Sequence, residues 1–165
     1  MGIGSSILFQ CITIIVTGGT DVSTVHCQSE GNNESVQAVD LERDDAEIEL
    51  IRRAIAKKDI LVLCICRGMQ ILNVVLGGSR LAHIMDADRV NTYSGHHQAV
   101  DRIAVGLEVA ATSPDGIIEA LVAPEHPWLI GVQWHPKKST ENDPTQQRLF
   151  DELVVSAEMR RTLEK

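Results

Sequence analysis

Two residues of this chain, Cys66 and His135, have the type and setting to do chemistry together. A thiol and an imidazole form the minimal pair for attack on a carbonyl: the imidazole takes the thiol proton and later returns it to the leaving amine. Cys66 follows six apolar residues, Ile60 to Ile65, and from Gly68 the spacing turns helical, with Met69, Leu72, Val75 and Leu76 on one face. An apolar run of this kind suits a parallel strand covered on both sides. A nucleophile at a sharp strand-to-helix turn projects its reactive atom at the carboxyl edge of the sheet, and the helix N-terminus beneath it favours a thiolate. A cysteine in an apolar run is otherwise an inert small hydrophobe.

A histidine far downstream adds weight to the first reading. Leu129 to Trp134 reads as a strand that Pro136 stops, which leaves His135 at a sheet edge. If that strand runs parallel to the one before Cys66, both side chains emerge at the same edge. Gly18 and Gly19 follow another apolar run, Ile12 to Val16, and glycines there let backbone N–H groups approach a developing oxyanion. Gly18-Gly19 and the amide of Arg67 are the candidate donors, the alternative for the glycine pair being a simple turn.

These residues need a scaffold. Asp40 caps a helix running to about Lys58, with Ile48, Ile51 and Ile55 as its apolar stripe, acids early and bases late. The polar stretch from Ser23 to Ser35 reads as an exposed loop, and Gly77-Gly78 ends the helix after Cys66. Short strands are expected around Val90–Tyr93, Leu107–Ala111, Ile117–Val122 and Leu129–Trp134, with Asp115-Gly116 as a hairpin turn. A last helix starts at Asp143-Pro144, with Gln146 completing a capping box and Leu149, Phe150, Leu153 and Val154 as its buried face. Strands alternating with helices, then a β-rich section, predict an α/β domain with a central, mainly parallel sheet.

Composition sets the bounds. The 165 residues suffice for one domain with a real core, and 44% hydrophobic with 23% charged residues is ordinary for a soluble globular protein. The formal charge of −8 argues against nucleic acid or an anionic membrane as partner. Cys11, Cys27, Cys64 and Cys66 fit neither a secreted disulfide framework nor a C-x-x-C metal pair, so reduced thiols in the cytoplasm are expected. Met1 to Ser6 fits the loose N-myristoylation pattern, but Ile7 to Val16 is too short to span a bilayer and reads as a buried strand.

Five motifs stand in order along the chain: Thr17-Gly-Gly-Thr-Asp-Val22, Cys66-Arg-Gly-Met-Gln70 with Asn73, His96-His-Gln-Ala-Val-Asp101, Ser113-Pro-Asp-Gly116 and Gly131-Val-Gln-Trp-His-Pro136. Together they resemble the class I glutamine amidotransferase superfamily, in particular its γ-glutamyl-γ-aminobutyrate hydrolase branch. The resemblance implies a single domain over 1–165 with a flavodoxin-like three-layer sandwich. It also implies a Cys–His–Glu triad that forms and hydrolyses a γ-glutamyl thioester. On that pattern Cys66 is the nucleophile and His135 the base, Gly19 and the Arg67 amide hold the oxyanion, and Gln70, His97 and Gln98 line the glutamyl pocket. The substrate would be a small γ-glutamyl molecule; neither a metal nor an organic cofactor is implied, and a homo-oligomer stays open.

Three departures from the pattern matter. The family's acid directly follows His-Pro, where this chain has Lys137, a cation that opposes an imidazolium. Glu141 and Asp143 on the next loop are the candidates to replace it. The residue two before the nucleophile is normally Gly and is here Cys64, whose side chain is expected to strain or shift the turn. The family's first strand and helix, and a stretch between Gly78 and Ser79, have no counterpart, which predicts an exposed sheet edge. Two alternatives to a hydrolase follow: a catalytically impaired relative that binds a γ-glutamyl ligand or a protein partner, and a redox sensor using Cys66 beside Cys64.

Overall fold

The apolar runs form strands and the helically spaced stretches form helices, in the order β1 (Thr13–Val16), α1 (Leu41–Ala56), β2 (Leu61–Ile65), α2 (Arg67–Val75), β3 (Glu108–Thr112), β4 (Ile118–Val122), β5 (Leu129–Val132), α3 (Pro136–Ser139) and α4 (Thr145–Leu163). The structure is a computed structural model and describes residues 13–23, 39–75, 92, 95–96, 98–139 and 143–163. Cys11, Cys27, Gly77-Gly78, His97 and Glu141 lie outside the described residues, as do most of the loop from Ser23 to Ser35 and the strand expected at Val90–Tyr93, Thr92 apart.

One sheet has the order β1-β2-β5-β4-β3. β1, β2 and β5 are parallel neighbours, and β4 is antiparallel to both β5 and β3, so β4 alone runs against the other four strands. Side chains alternate across the sheet, as the period of a strand requires. On one face Val62, Cys64, Leu121 and Leu129 pack with Ile48 and Ile51 of α1 and Met69 and Leu72 of α2. On the other, Leu61, Leu63, Ala120, Val122, Ile130 and Val132 pack with Trp134 and with Leu149 and Leu153 of α4. This is the expected three-layer α/β arrangement, with both faces of β2 dry.

The helix signals act as read, with shifts at their ends. Asp40 caps α1, its side chain accepting from Arg43 N at 3.1 Å. Asp143 caps α4, accepting from Thr145 N at 3.0 Å and Thr145 Oγ1 at 2.6 Å. Gln146 is buried, and its Oε1 accepts the Trp134 indole N–H at 2.8 Å. Val154, expected in the buried face of α4, is exposed, because Leu149 and Leu153 already fill the contact with the sheet. Ser23, expected in an exposed loop, is buried, its amide donating to Asp44 Oδ2 at 2.9 Å. The Asp115-Gly116 hairpin is present: Gly116 has φ +87° and Ser113 N donates to Ile117 O across the turn.

Candidate active site

Cys66 leaves β2 in the left-handed region, at φ +54°, a conformation that costs a side-chain-bearing residue energy and therefore needs support. Two backbone bonds give it. Cys66 N donates to Val132 O of β5 at 2.7 Å, and Cys66 O accepts from Met69 N at 2.9 Å in the first turn of α2. The turn closes this tightly because residue 68 is glycine: a Cβ there would collide with the carbonyl of Val16 on β1. Cys64 sits two residues earlier, fully buried on the α1/α2 face, and stays in register with Val16 and Gly131. The strand thus keeps its ladder with the Cys64 side chain in place, and the strained backbone lies at Cys66 itself. Burial drives the Cys64 thiol far above the ordinary range, which keeps it protonated and inert.

His135 lies just past β5, the strand beside β2, and Lys138 N donates to its carbonyl at 3.0 Å as α3 begins. Because β2 and β5 are parallel, the elbow cysteine and this histidine share the carboxyl edge. Both stand against the same side of Gly18: a Cβ on Gly18 would lie 3.0 Å from His135 Cε1 and 3.5 Å from Cys66 Cβ. Cys66, His135 and the glycine loop are therefore gathered at one point.

The electrostatics favour neutral partners. Burial raises the Cys66 thiol above its ordinary value, against the Arg67 amide and the Gln133 side chain, which both favour the thiolate; Asp21 and Glu119 add to the upward push. His135 is lowered, first by burial and then by the positive charges of Lys138, His96 and Lys137. The charged groups that weigh on this histidine are thus cationic. Asp143, one of the two acids considered as a replacement, is engaged as the cap of α4.

Gln133, which the sequence reading passed over, is buried beside the thiol, with Nε2 donating to Cys66 Sγ at 3.7 Å and Oε1 accepting from Gln70 Nε2 at 3.3 Å. Gln70 Nε2 also donates to Gln98 O at 2.8 Å. The Gln98 side chain pairs with the backbone of Val22, accepting from its N–H at 2.9 Å and donating to its carbonyl at 3.2 Å. Gln70 and Gln98, expected to line a ligand pocket, form a continuous amide chain from the thiol to the segment after the glycine loop. His96 joins it through Nδ1, 2.8 Å from Gln98 O, and its Nε2 faces the buried Glu119 of β4 at 3.7 Å. Because a carbonyl can only accept, Nδ1 carries the proton in that bond.

Arg67 contributes more than an amide. Its side chain is buried and paired with Asp44 and Glu47 of α1. Gly19 is exposed, and a Cβ on it would collide with the guanidinium of Arg43.

Comparison with known proteins adds to this geometry. The Peptidase C26 family matches residues 5–88 and 78–137, two segments that meet where the sequence reading finds a stretch without counterpart. A Mycobacterium tuberculosis protein whose provisional name is glutamine amidotransferase is 35% identical over 87% of this chain and 55% of its own length. Protein NtpR of Enterococcus hirae is 31% identical over 91% of this chain and 77% of that protein. The γ-glutamyl-γ-aminobutyrate hydrolase PuuD of Escherichia coli is 26% identical over 82% and 68%. The chain thus spans about half of the first relative and more of the others. A solved structure from Thermoplasma acidophilum, provisionally named as part of a GMP synthase, superposes with a TM-score of 0.69 over 98% of this chain and 80% of that one. At 14% identity that likeness speaks for the flavodoxin-like fold alone. Among the described residues no helix is long and apolar enough to cross a membrane.

Proposed function

The chain belongs to the Peptidase C26 family of glutamine amidotransferase-like hydrolases, and within it we propose a hydrolase of γ-glutamyl amides that works through a thioester on Cys66. The observation that carries this reading is that Cys66 and His135 crowd the same side of Gly18, where its Cβ would lie, at the carboxyl ends of adjacent parallel strands.

The chemistry follows from the protonation states. A raised thiol beside a lowered imidazole is a neutral pair, so His135 acts as general base at the moment of attack. Cys66 Sγ bonds to the γ-carbonyl carbon while His135 takes the thiol proton. The oxygen becomes an anion held by the N–H groups of Gly19 and Arg67. Collapse breaks the C–N bond, the amine departs with the proton from His135, and the thioester remains. Water, deprotonated by His135, then releases glutamate and restores the thiol. Gln70 and Gln98 shape the pocket through Gln133 and Val22, and His97 is the third pocket residue of this proposal. The enzyme would act on small molecules as one cytoplasmic domain over 1–165, without metal or organic cofactor and without a nucleic-acid or membrane partner.

One observation favours the alternative of a γ-glutamyl binding module: Lys138, His96 and Lys137 are the charges that weigh on His135. Release of p-nitroaniline from γ-glutamyl p-nitroanilide separates the readings, with wild type compared with Cys66→Ala. Turnover that disappears in the variant supports the hydrolase. Folded wild type that binds the compound without turning it over overturns the hydrolase in favour of the module.

A further inference from the structure

A chain of charges runs from the elbow to the glycine loop. Glu47 of α1 pairs with Arg67 through one carboxylate oxygen and accepts from Arg43 Nε at 2.8 Å through the other. Arg43 Nη2 in turn donates to the Gly18 carbonyl at 3.2 Å, and the same guanidinium covers the Cα of Gly19. One carboxylate thus ties the residue after the nucleophile to the loop that faces it.

The geometry of a peptide gives this contact a consequence. In a trans peptide the carbonyl and the following N–H point in opposite directions across a rigid plane. Holding the Gly18 carbonyl towards Arg43 turns the Gly19 N–H away from Arg43. Cys66 and His135 stand against Gly18 on the side where its own Cβ would lie, whereas the Cβ of Gly19 would point into Arg43. Two adjacent glycines without side chains could rotate this peptide at little cost, so something outside the loop must set it.

We propose that Arg43, held by Glu47, is a positioning residue that orients the Gly18–Gly19 peptide so that the Gly19 N–H faces a carbonyl oxygen bound over Cys66. The proposal rests on the thioester reading above, with Gly19 and Arg67 as oxyanion donors. It makes Glu47 the common anchor of both donors, since it holds Arg67 directly and Gly19 through Arg43. Arg43 is about one-third exposed, so its replacement leaves the core intact.

The test uses two reactions of the same thiol. Acylation of Cys66 by p-nitrophenyl acetate forms an S–C bond, expels p-nitrophenolate, passes the thiol proton to His135 and builds an oxyanion on the way. Alkylation by iodoacetamide displaces iodide at a saturated carbon and builds none. Arg43→Gln is expected to slow acylation, and kcat on γ-glutamyl p-nitroanilide, by about 10- to 100-fold, since loss of an oxyanion donor costs about 10²–10³. KM and the alkylation rate stay within about twofold, and Arg43→Lys recovers part of the loss because an ammonium still reaches a carbonyl. Equal acylation in Arg43→Gln and wild type overturns the proposal, as does a parallel fall in alkylation, which would place Arg43 on the thiol or the fold. If wild type leaves the anilide intact, the γ-glutamyl hydrolase reading falls, while the ratio of acylation to alkylation still decides the role of Arg43.

Discussion

Gln133 Nε2 donates to Cys66 Sγ across 3.7 Å, joining the end of β5 to the thiol that β2 delivers. The side chain comes from the segment just past β5 that also carries His135, so one stretch of backbone places both residues at the thiol's edge of the sheet. A thiol needs such help here because burial works against its ionisation.

The pH dependence of thiol reactivity follows. Burial raises Cys66 and lowers His135, so the pair holds its proton on sulfur at neutral pH. Iodoacetamide reacts with thiolate, so the alkylation rate should climb with pH beyond the ordinary thiol value of about 8.5, with no plateau near neutrality. Gln133→Leu removes a donor that favours the thiolate and should move the climb to still higher pH. Rates measured from pH 5 to 10 check this; a flat profile from acid to neutral pH, the mark of a thiolate–imidazolium pair, would contradict it.

The cation after Pro136 gives the second prediction. Lys137 helps depress His135, so imidazolium, which must form as the base takes a proton, is disfavoured at every step. Lys137→Glu removes that charge and supplies a carboxylate at the family's acid position. The sign is clear: His135 rises, the acid limb of kcat/KM moves to higher pH, and turnover increases. The carboxylate of a serine triad is worth about 10⁴, and an increase of at least about tenfold is expected here. Anilide hydrolysis against pH measures both effects, and unchanged activity in Lys137→Glu would show that charge at residue 137 does not limit the reaction.

The elbow and the histidine edge were legible because each is marked locally: an apolar run that stops at Cys66, and a proline after His135 that bars the chain from continuing as a strand, although β5 already ends at Val132 rather than at the expected Trp134. Gln133 was hidden. Next to an apolar strand a lone amide reads as an ordinary polar neighbour, and only the pairing of β2 with β5 brings it to the sulfur. Gln70 and Gln98 were legible as residues near the site, but their partners were not, since spacing cannot tell an amide that faces a ligand from one that faces another amide. The buried ion pairs of Arg67 were missed for a different reason. Acids in the first turns of α1 match the helix dipole and so looked fully explained. Asp44 nevertheless lies four residues before Ile48 and seven before Ile51, on the stripe that faces the core. A carboxylate on an apolar stripe signals a buried cation elsewhere in the sequence.

That ion pair gives the last prediction. Arg67 and Asp44 are buried to within 1% of full, and Asp44 Oδ2 also accepts from Ser23 N at 2.9 Å. Asp44→Ala leaves the guanidinium with Glu47 and removes the Asp44 acceptor from the Ser23 amide. Breaking a buried pair by removing one partner costs about 3–5 kcal/mol, because the remaining charge has lost its compensation. Replacing both partners, as in Asp44→Leu with Arg67→Met, should be less costly than Asp44→Ala alone, since no orphaned charge remains. Urea unfolding midpoints of the three proteins test the order. Salt should leave it unchanged, because screening does not reach a pair this deep. If Asp44→Ala costs under about 1 kcal/mol, Glu47 by itself suffices to hold Arg67 and the pair with Asp44 is dispensable.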